Sequence, residues 1–360
     1  MTVLQVCAYG ADYPGNFMAS LCALEVALKK KGIQTIYAFV EKARTKKWCK
    51  ELQKRTKVYF LPEAKARILP ETYYIFRKIY RENSIDIVHS HFELYDIPAT
   101  VTAPKNTKIF WHLHDPINPG SGLNGVLWKI QYGVVGKQAN LISVSDYYKE
   151  TVIQMGFPAG QTVTVLNSID LNRIQDCGYN AEKSFDFLTF GWDFYRKGDD
   201  LILDACTRLA NDGYSFRLLL NGNEKTWDDL DKFLVGKNPS WLVRGKPISD
   251  INTLYSASRV FIQASRRETF SYAVCEAAYA GLPVISSNIS GLEWAHALPS
   301  VNFFESENKD QLYILMKEYL DGKICSNSKI EKSRKIIRDN YSLEIWAEKV
   351  MKQYKIDKEV

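Results

Sequence analysis

Short apolar runs alternate with stretches of helical periodicity along nearly the whole chain. Apolar runs bounded by Gly, Pro and polar clusters predict buried strands, and apolar positions recurring every three or four residues predict helices packed on them. In the first half, strands are expected at Val3–Tyr9, Thr35–Val40, Lys57–Leu61, Ile85–His89, Lys108–Leu113, Leu141–Ser145 and Thr162–Leu166. Helices are expected at Phe17–Lys31, which Gly32 closes, and at Leu69–Glu82 and Tyr147–Met155. In the second half the strands are Phe187–Phe190, Phe216–Leu220, Trp241–Arg244, Val260–Gln263 and Val284–Ser286. Helices fall at Asp199–Asn211, Thr226–Val235, Ile248–Ala257, Tyr272–Ala280, Lys309–Leu320 and, last, Leu343–Tyr354. Two successive sets of this kind predict an α/β protein of two doubly wound, Rossmann-like domains, with ligands in a cleft between their strand C-terminal ends. The polar stretch Asn167 to Ser184, with Gly178 and Asn180 as loop residues, marks the boundary.

One junction between strand and helix carries chemistry. Glu268 falls in the loop after Val260–Ser265, and Glu276 falls about one turn into the Tyr272–Ala280 helix, which Gly281 and Pro283 end. Between the two carboxylates lie the unpaired N–H groups of a helix start, a natural seat for phosphate. Carboxylates flanking an anion site fit a ligand whose hydroxyls lie on either side of its phosphates, one set on a ribose and one on a sugar. The alternative is a pair of solvated glutamates.

Composition narrows the classes. A chain of 360 residues is long for one core and suits two domains. The seven cysteines form no CxxC and no His–Cys spacing suited to zinc, which favours a reducing, cytoplasmic setting. No signal-peptide pattern opens the sequence and no apolar run is long enough to span a bilayer. The net charge of +6 is uneven, with sixteen Lys/Arg against four Glu between Lys29 and Arg81, interleaved with Trp48, Tyr59, Phe60, Tyr73, Tyr74 and Phe76. No nucleic-acid-binding pattern accompanies this basic region, so peripheral contact with an anionic membrane surface at the inner face of the cell membrane is the functional expectation. A solvated helical surface is the plainer one.

The Glu268–Glu276 segment, running into a small-residue helix, Gly281 and the Val284-Ile285 strand, resembles the paired-glutamate motif of the retaining GT-B glycosyltransferases of family 4. Other landmarks follow in that family's order: Asn167-Ser168-Ile169-Asp170, then Phe190-Gly191 with Lys197-Gly198, then Leu218–Asn223. The resemblance implies a nucleotide diphosphate sugar as co-substrate, no metal or other cofactor, and a glycan or lipid-linked acceptor. It assigns Glu276 to the ribose hydroxyls and Glu268 to the donor sugar. Lys197 and Arg196 become the cations that stabilise the leaving diphosphate, with Arg266 and Arg267 as weaker candidates, and Phe270, Ser271 and Tyr272 line the donor. Two departures stand out: Trp192 occupies the family's usual arginine position and Ser271 a usual glycine. In the first half, Gly15 and Asn16 occupy the loop that often lies against the donor phosphates in relatives. The resemblance also implies that the domains are 1–168, completed by the C-terminal helix 341–360, and 169–340.

Four of the five histidines sit in two pairs, His89/His91 and His112/His114. Spacing by two puts each pair on one face of a strand, a geometry open to a metal only if the fold joins the pairs. The resemblance singles out His114, beside Asp115, as the residue near the donor sugar, with His112 second. Asp229-Leu230-Asp231 resembles a metal motif of another glycosyltransferase fold but reads as the acidic start of a surface helix. The expected activity is transfer of a hexose-type sugar in bacterial surface polysaccharide synthesis. A catalytically silent binding subunit and a nucleotide-sugar 2-epimerase are its rivals.

Overall fold

The strands are apolar on both faces, as a parallel sheet covered by helices on both sides requires. In the first strand Val3, Leu4, Val6 and Cys7 are all fully buried. The computed structural model describes residues 1–117, 123–178, 183–246, 248, 250–323 and 325–356. Asn180 and the last four residues of the C-terminal segment lie outside them, as does Ser249 within the expected helix Ile248–Ala257. The chain divides into two units, Met1–Ser168 with Leu343–Val360, and Ile169–Ser342.

Among the described residues the first unit holds seven parallel strands: β1 (Thr2–Cys7), β2 (Gln34–Val40), β3 (Val58–Leu61), β4 (Ile87–His91), β5 (Lys108–Leu113), β6 (Asn140–Ser143) and β7 (Thr162–Thr164), in the order β3-β2-β1-β4-β5-β6-β7. The helix Leu343–Gln353 packs beside the Gly15–Lys29 helix of this unit and buries Trp346, Ala347 and Val350. The described residues of the second unit hold six: β8 (Phe185–Phe190), β9 (Leu218–Asn221), β10 (Leu242–Gly245), β11 (Ser258–Gln263), β12 (Val284–Asn288) and β13 (Val301–Glu305), in the order β10-β9-β8-β11-β12-β13. Each sheet reverses its winding once, between β1 and β4 and between β8 and β11. Such a switch point opens a crevice at the strand C-terminal ends, where ligands bind in doubly wound sheets.

Several elements differ from the expected pattern for local reasons. β4 runs two residues later than its apolar run, because the sheet accepts His89 and His91 as buried members. The helix ahead of β11 starts at Asn252, where Asp250 accepts the Asn252 backbone N–H. Asn327–Asn340 is helical although mostly polar: it buries a narrow stripe of Ile330, Ser333 and Ile337. Among the described residues no helix is long and apolar enough to cross a membrane.

Candidate functional site

In the second unit the chain leaves β8 at Phe190-Gly191 and turns through a short helix, Phe194–Lys197, ended by Gly198 at φ +72°. A Cβ on Gly198 would lie 2.0 Å from the carbonyl oxygen of Ala264, and one on Gly291 would lie 2.1 Å from that of Glu268. Both positions therefore require glycine, and together they seat the loop after β11 against its neighbours. In that loop the carboxylate of Glu268, 8% exposed, receives Lys197 Nζ at 2.6 Å, Gln263 Nε2 at 2.9 Å, Ser265 Oγ at 3.0 Å and Arg196 Nη1 at 3.5 Å. All four converge on Oε1; among the described residues none bonds Oε2. A buried carboxylate survives desolvation when cations and neutral donors surround it, and Lys197 is the closest of them.

Ser271 N-caps the Tyr272–Ala280 helix with its Oγ, 3.4 Å from the Val274 N–H, at φ +59°. A non-glycine residue is strained there, so serine at the family's usual glycine position carries a backbone cost. Glu276, 5% exposed in that helix, receives the Arg173 guanidinium on Oε1 and the Tyr255 hydroxyl on Oε2 at 3.1 Å. The Phe270 ring is buried against Trp294, centroids 4.6 Å apart, and Trp294 Nε1 donates to the Phe270 carbonyl. Its side chain belongs to the core. Tyr272 packs on Phe270.

The remaining cations sort differently from the expected set. Arg196 is tied to Asp193 at 2.9 Å as well as reaching Glu268. Arg266 is held bidentately by Asp200 and also by Glu307, a structural clamp. Arg267 is exposed, and Trp192 is 39% exposed. Arg173, Tyr255, Gln263 and Ser265 were not legible as site residues. Arg173 follows the Asn167–Asp170 motif closely, yet its partner Glu276 lies 103 residues away. Asp199, fully buried against Gly191, has its carboxyl pushed well up by burial, and among the described residues neither oxygen has a hydrogen-bond partner. Asp229 and Asp231 lie on the Glu224–Phe233 helix and pair with Lys232 and Arg244, a surface arrangement.

In the first unit the loop after β1 is held by Tyr9, whose hydroxyl donates to the carbonyls of Tyr13 and Pro14. Gly15, at φ +56°, opens the following helix with Asn16 buried behind it. Phe17 then meets His91 and His114 edge-on, at 5.3 and 5.4 Å between ring centroids. The β4–β5 register brings the two histidine pairs together, with His91 opposite His112. His89 and His112 are nearly coplanar and hydrogen-bonded at 3.1 Å, and His91 and His114 are bonded at 3.0 Å. The two pairs stack at 4.1 Å. Burial first, and the neighbouring imidazoles second, push the pKa of His89 down to about 3 and those of His91 and His112 well below the usual value; burial pushes that of His114 down to about 3. His89, His91 and His112 each place one nitrogen within 4.8 Å of the others, close enough to consider a metal. Of their ring nitrogens, His89 Nε2, His112 Nδ1 and His91 Nδ1 are spent on other imidazoles, whereas His112 Nε2 is buried with no hydrogen-bond partner among the described residues.

The basic region is less free than its charge count suggests. Lys42, Arg44, Lys46, Lys54 and Arg55 pair with Glu63, Glu41, Asp12, Glu51 and Glu25.

Residues 185–314 match the family described as Glycosyl transferases group 1, and residues 21–173 match Glycosyltransferase Family 4. The gpi3 subunit of phosphatidylinositol N-acetylglucosaminyltransferase from Schizosaccharomyces pombe is 27% identical over 301 residues, which cover 78% of this chain and 63% of that protein. The capsular polysaccharide biosynthesis glycosyltransferase CapM of Staphylococcus aureus is 25% identical over 168 residues, 42% of this chain and 44% of that one. The chain thus spans less than two thirds of the length of either relative. Among solved structures, Anabaena HepE in complex with UDP-glucose superposes with a TM-score of 0.76 at 16% identity, covering 99% of both chains. That likeness establishes the fold, two Rossmann-like domains of GT-B type.

Proposed function

This chain belongs to the glycosyltransferases of group 1 and family 4, and from that premise we propose that it moves a hexose-type sugar, with retention, from a nucleotide diphosphate sugar to a glycan acceptor. The bond from the sugar anomeric carbon to the diphosphate breaks and its electron pair leaves with the phosphate. A bond from that carbon to an acceptor hydroxyl forms, and the hydroxyl proton passes to the departing diphosphate or to solvent. The observation that supports this reading is Glu268: four groups hold one carboxylate oxygen while no described residue bonds the other, beside Lys197 and Arg196 at a switch point. Lys197 and Arg196 would stabilise charge growing on the leaving diphosphate, without a metal. Glu276 would meet the ribose and His114 the donor sugar. Relatives named for phosphatidylinositol and for capsule synthesis favour a lipid-linked acceptor of a surface polysaccharide. Work at the cytoplasmic membrane face would then use the cations left unpaired in the basic region; binding to acidic liposomes that falls steeply with salt tests this, and equal binding to neutral ones rejects it.

Calorimetry separates the two glutamates. Glu276→Gln should weaken a nucleotide diphosphate and its sugar conjugate alike, by about 1–3 kcal/mol for a charged hydrogen bond. Glu268→Gln should bind the free diphosphate almost normally and lose turnover. UDP and UDP-glucose are the first probes, and turnover should survive excess EDTA. Equal weakening of the bare diphosphate by both changes rejects the division of roles, and loss on chelation rescued by Mn²⁺ rejects the lysine and arginine as leaving-group stabilisers. Trp192 keeps a second reading, a non-catalytic binding subunit; ligand binding with no hydrolysis or transfer would establish it.

A further inference from the structure

Gln5, on β1, stands in the middle of a hydrogen-bond chain that runs through the histidine block. On one side its Oε1 lies 2.9 Å from His91 Nε2, and His91 Nδ1 lies 3.0 Å from His114 Nε2. On the other side its Nε2 donates to Tyr354 Oη at 3.2 Å. Tyr354 Oη lies 2.7 Å from His89 Nδ1, and His89 Nε2 lies 3.1 Å from His112 Nδ1. Gln5, Tyr354 and all four imidazoles are buried.

A neutral imidazole carries one N–H and one lone pair, so each assignment along the chain forces the next. The amide oxygen of Gln5 accepts, so His91 donates through Nε2. His91 Nδ1 must then accept, and His114 donates to it through Nε2. The amide nitrogen of Gln5 donates to Tyr354, whose own proton goes to His89 Nδ1. His89 therefore donates through Nε2 to His112. Every imidazole of the block is the Nε2–H tautomer, and the Nε2–H of His112 is then left buried with no hydrogen-bond partner among the described residues. Proton hopping cannot undo this order, because an amide does not exchange its donor and acceptor ends. Only rotation of the Gln5 amide would, and it would reverse both arms together.

We propose that Gln5 is a positioning residue that sets the tautomer of His114 through His91, with Tyr354 holding the amide in its orientation. The functional consequence rests on the reading of His114 as a donor-site residue. Locked in this tautomer, His114 carries its lone pair on Nδ1, and burial keeps the ring uncharged. Asn167, of the Asn-Ser-Ile-Asp motif, is a further hydrogen-bond partner of its side chain. Gln5 and Tyr354 lie 349 residues apart, so the control reaches His114 from both ends of the sequence.

Long-range ¹H–¹⁵N spectra of histidine-labelled protein test the proposal. Wild type should show His114 as Nε2–H alone. Gln5→Met removes both amide ends at similar volume and should give a mixture of His114 tautomers. Gln5→Glu should keep His114 as Nε2–H, because a carboxyl oxygen still accepts from His91. Tyr354→Phe, a milder change, should free the amide to rotate and give a smaller admixture. A wild-type His114 that is Nδ1–H or mixed overturns the proposal even if no variant folds, and so does a pure Nε2–H tautomer in Gln5→Met. In Gln5→Met, kcat for donor turnover should fall in proportion to the Nε2–H fraction lost, with the affinity for the free nucleotide diphosphate unchanged. A tautomer shift with unchanged kcat would uphold the relay and reject His114 as a donor-site residue.

Discussion

At the switch point of the first unit four imidazoles lie buried against one another, whereas at that of the second unit two carboxylates lie buried against Lys197, Arg196 and Arg173. The same sheet plan thus supports opposite ways of keeping polar groups dry. In the first unit burial drives protons off, and neutral rings satisfy each other by hydrogen bonds. In the second, each carboxylate is met by a cation and by neutral donors. A neutral network specifies geometry and costs little until it is protonated. An ion-pair site places charge beside a ligand and is costly to leave with one partner missing.

Removing one member of each arrangement should break the comparison most sharply. Lys197→Ala leaves Glu268 without its closest cation and takes the charge nearest the proposed leaving group. Donor turnover should fall by about 10²–10³ in kcat, with Lys197→Arg retaining part of it. An unchanged kcat in Lys197→Ala would mean that this ion pair is structural alone.

Acid should act on the first unit before the second. An imidazole whose folded pKa is depressed binds fewer protons folded than unfolded, so its stabilising contribution is present above the unfolded value of about 6.5 and is lost as pH falls below it. Each such group contributes a slope of about 1.4 kcal/mol per pH unit. Glu93 and Asp96 in the same unit work the other way, because burial pushes them up to about 8 and about 7. Four imidazoles against two acids leave a net loss in the first unit as pH drops from 6.5 towards 4.5. In the second unit Asp199 is raised, and its protonation favours the folded state over the same range. Hydrogen exchange at pH 5 and pH 7 should show β4 and β5 losing protection faster than β8 and β11 as pH falls. Equal loss in both units would sink this contrast.

The smallest expected effect concerns backbone strain, which both switch points carry: Phe92 and Glu93 have positive φ just after His91, as Ser271 does just after Glu268. Ser271→Gly relieves about 1 kcal/mol of strain and gives up a long cap bond worth a few tenths, for a net gain of about 0.5–1 kcal/mol. A thermal melt of the variant checks it, and a lower Tm would show that the serine cap outweighs the strain.

The alternation of apolar runs and helical stretches was enough to determine the α/β class, most strands and the helices Asp199–Asn211, Tyr272–Ala280 and Lys309–Leu320, because strand and helix periodicity are local properties that burial enforces residue by residue. The loop position of Glu268, the helical position of Glu276 and the neighbourhood of Lys197 and Gly198 were legible for the same reason: turn glycines and helix ends are written within a few residues of where they act. Contacts across the sheets were not. That His89 and His91 lie beside His112 and His114 depends on β4 and β5 being neighbours and on their register. That Tyr354 closes the histidine chain depends on the packing of the last helix on the first unit. Arg173 meeting Glu276, and Arg266 being taken up by Asp200 and Glu307, are likewise pairings over long separations. Residue type and spacing determine which groups a chain carries and which face of an element they take, whereas a buried polar group's partner is chosen by whichever element the tertiary fold sets against it.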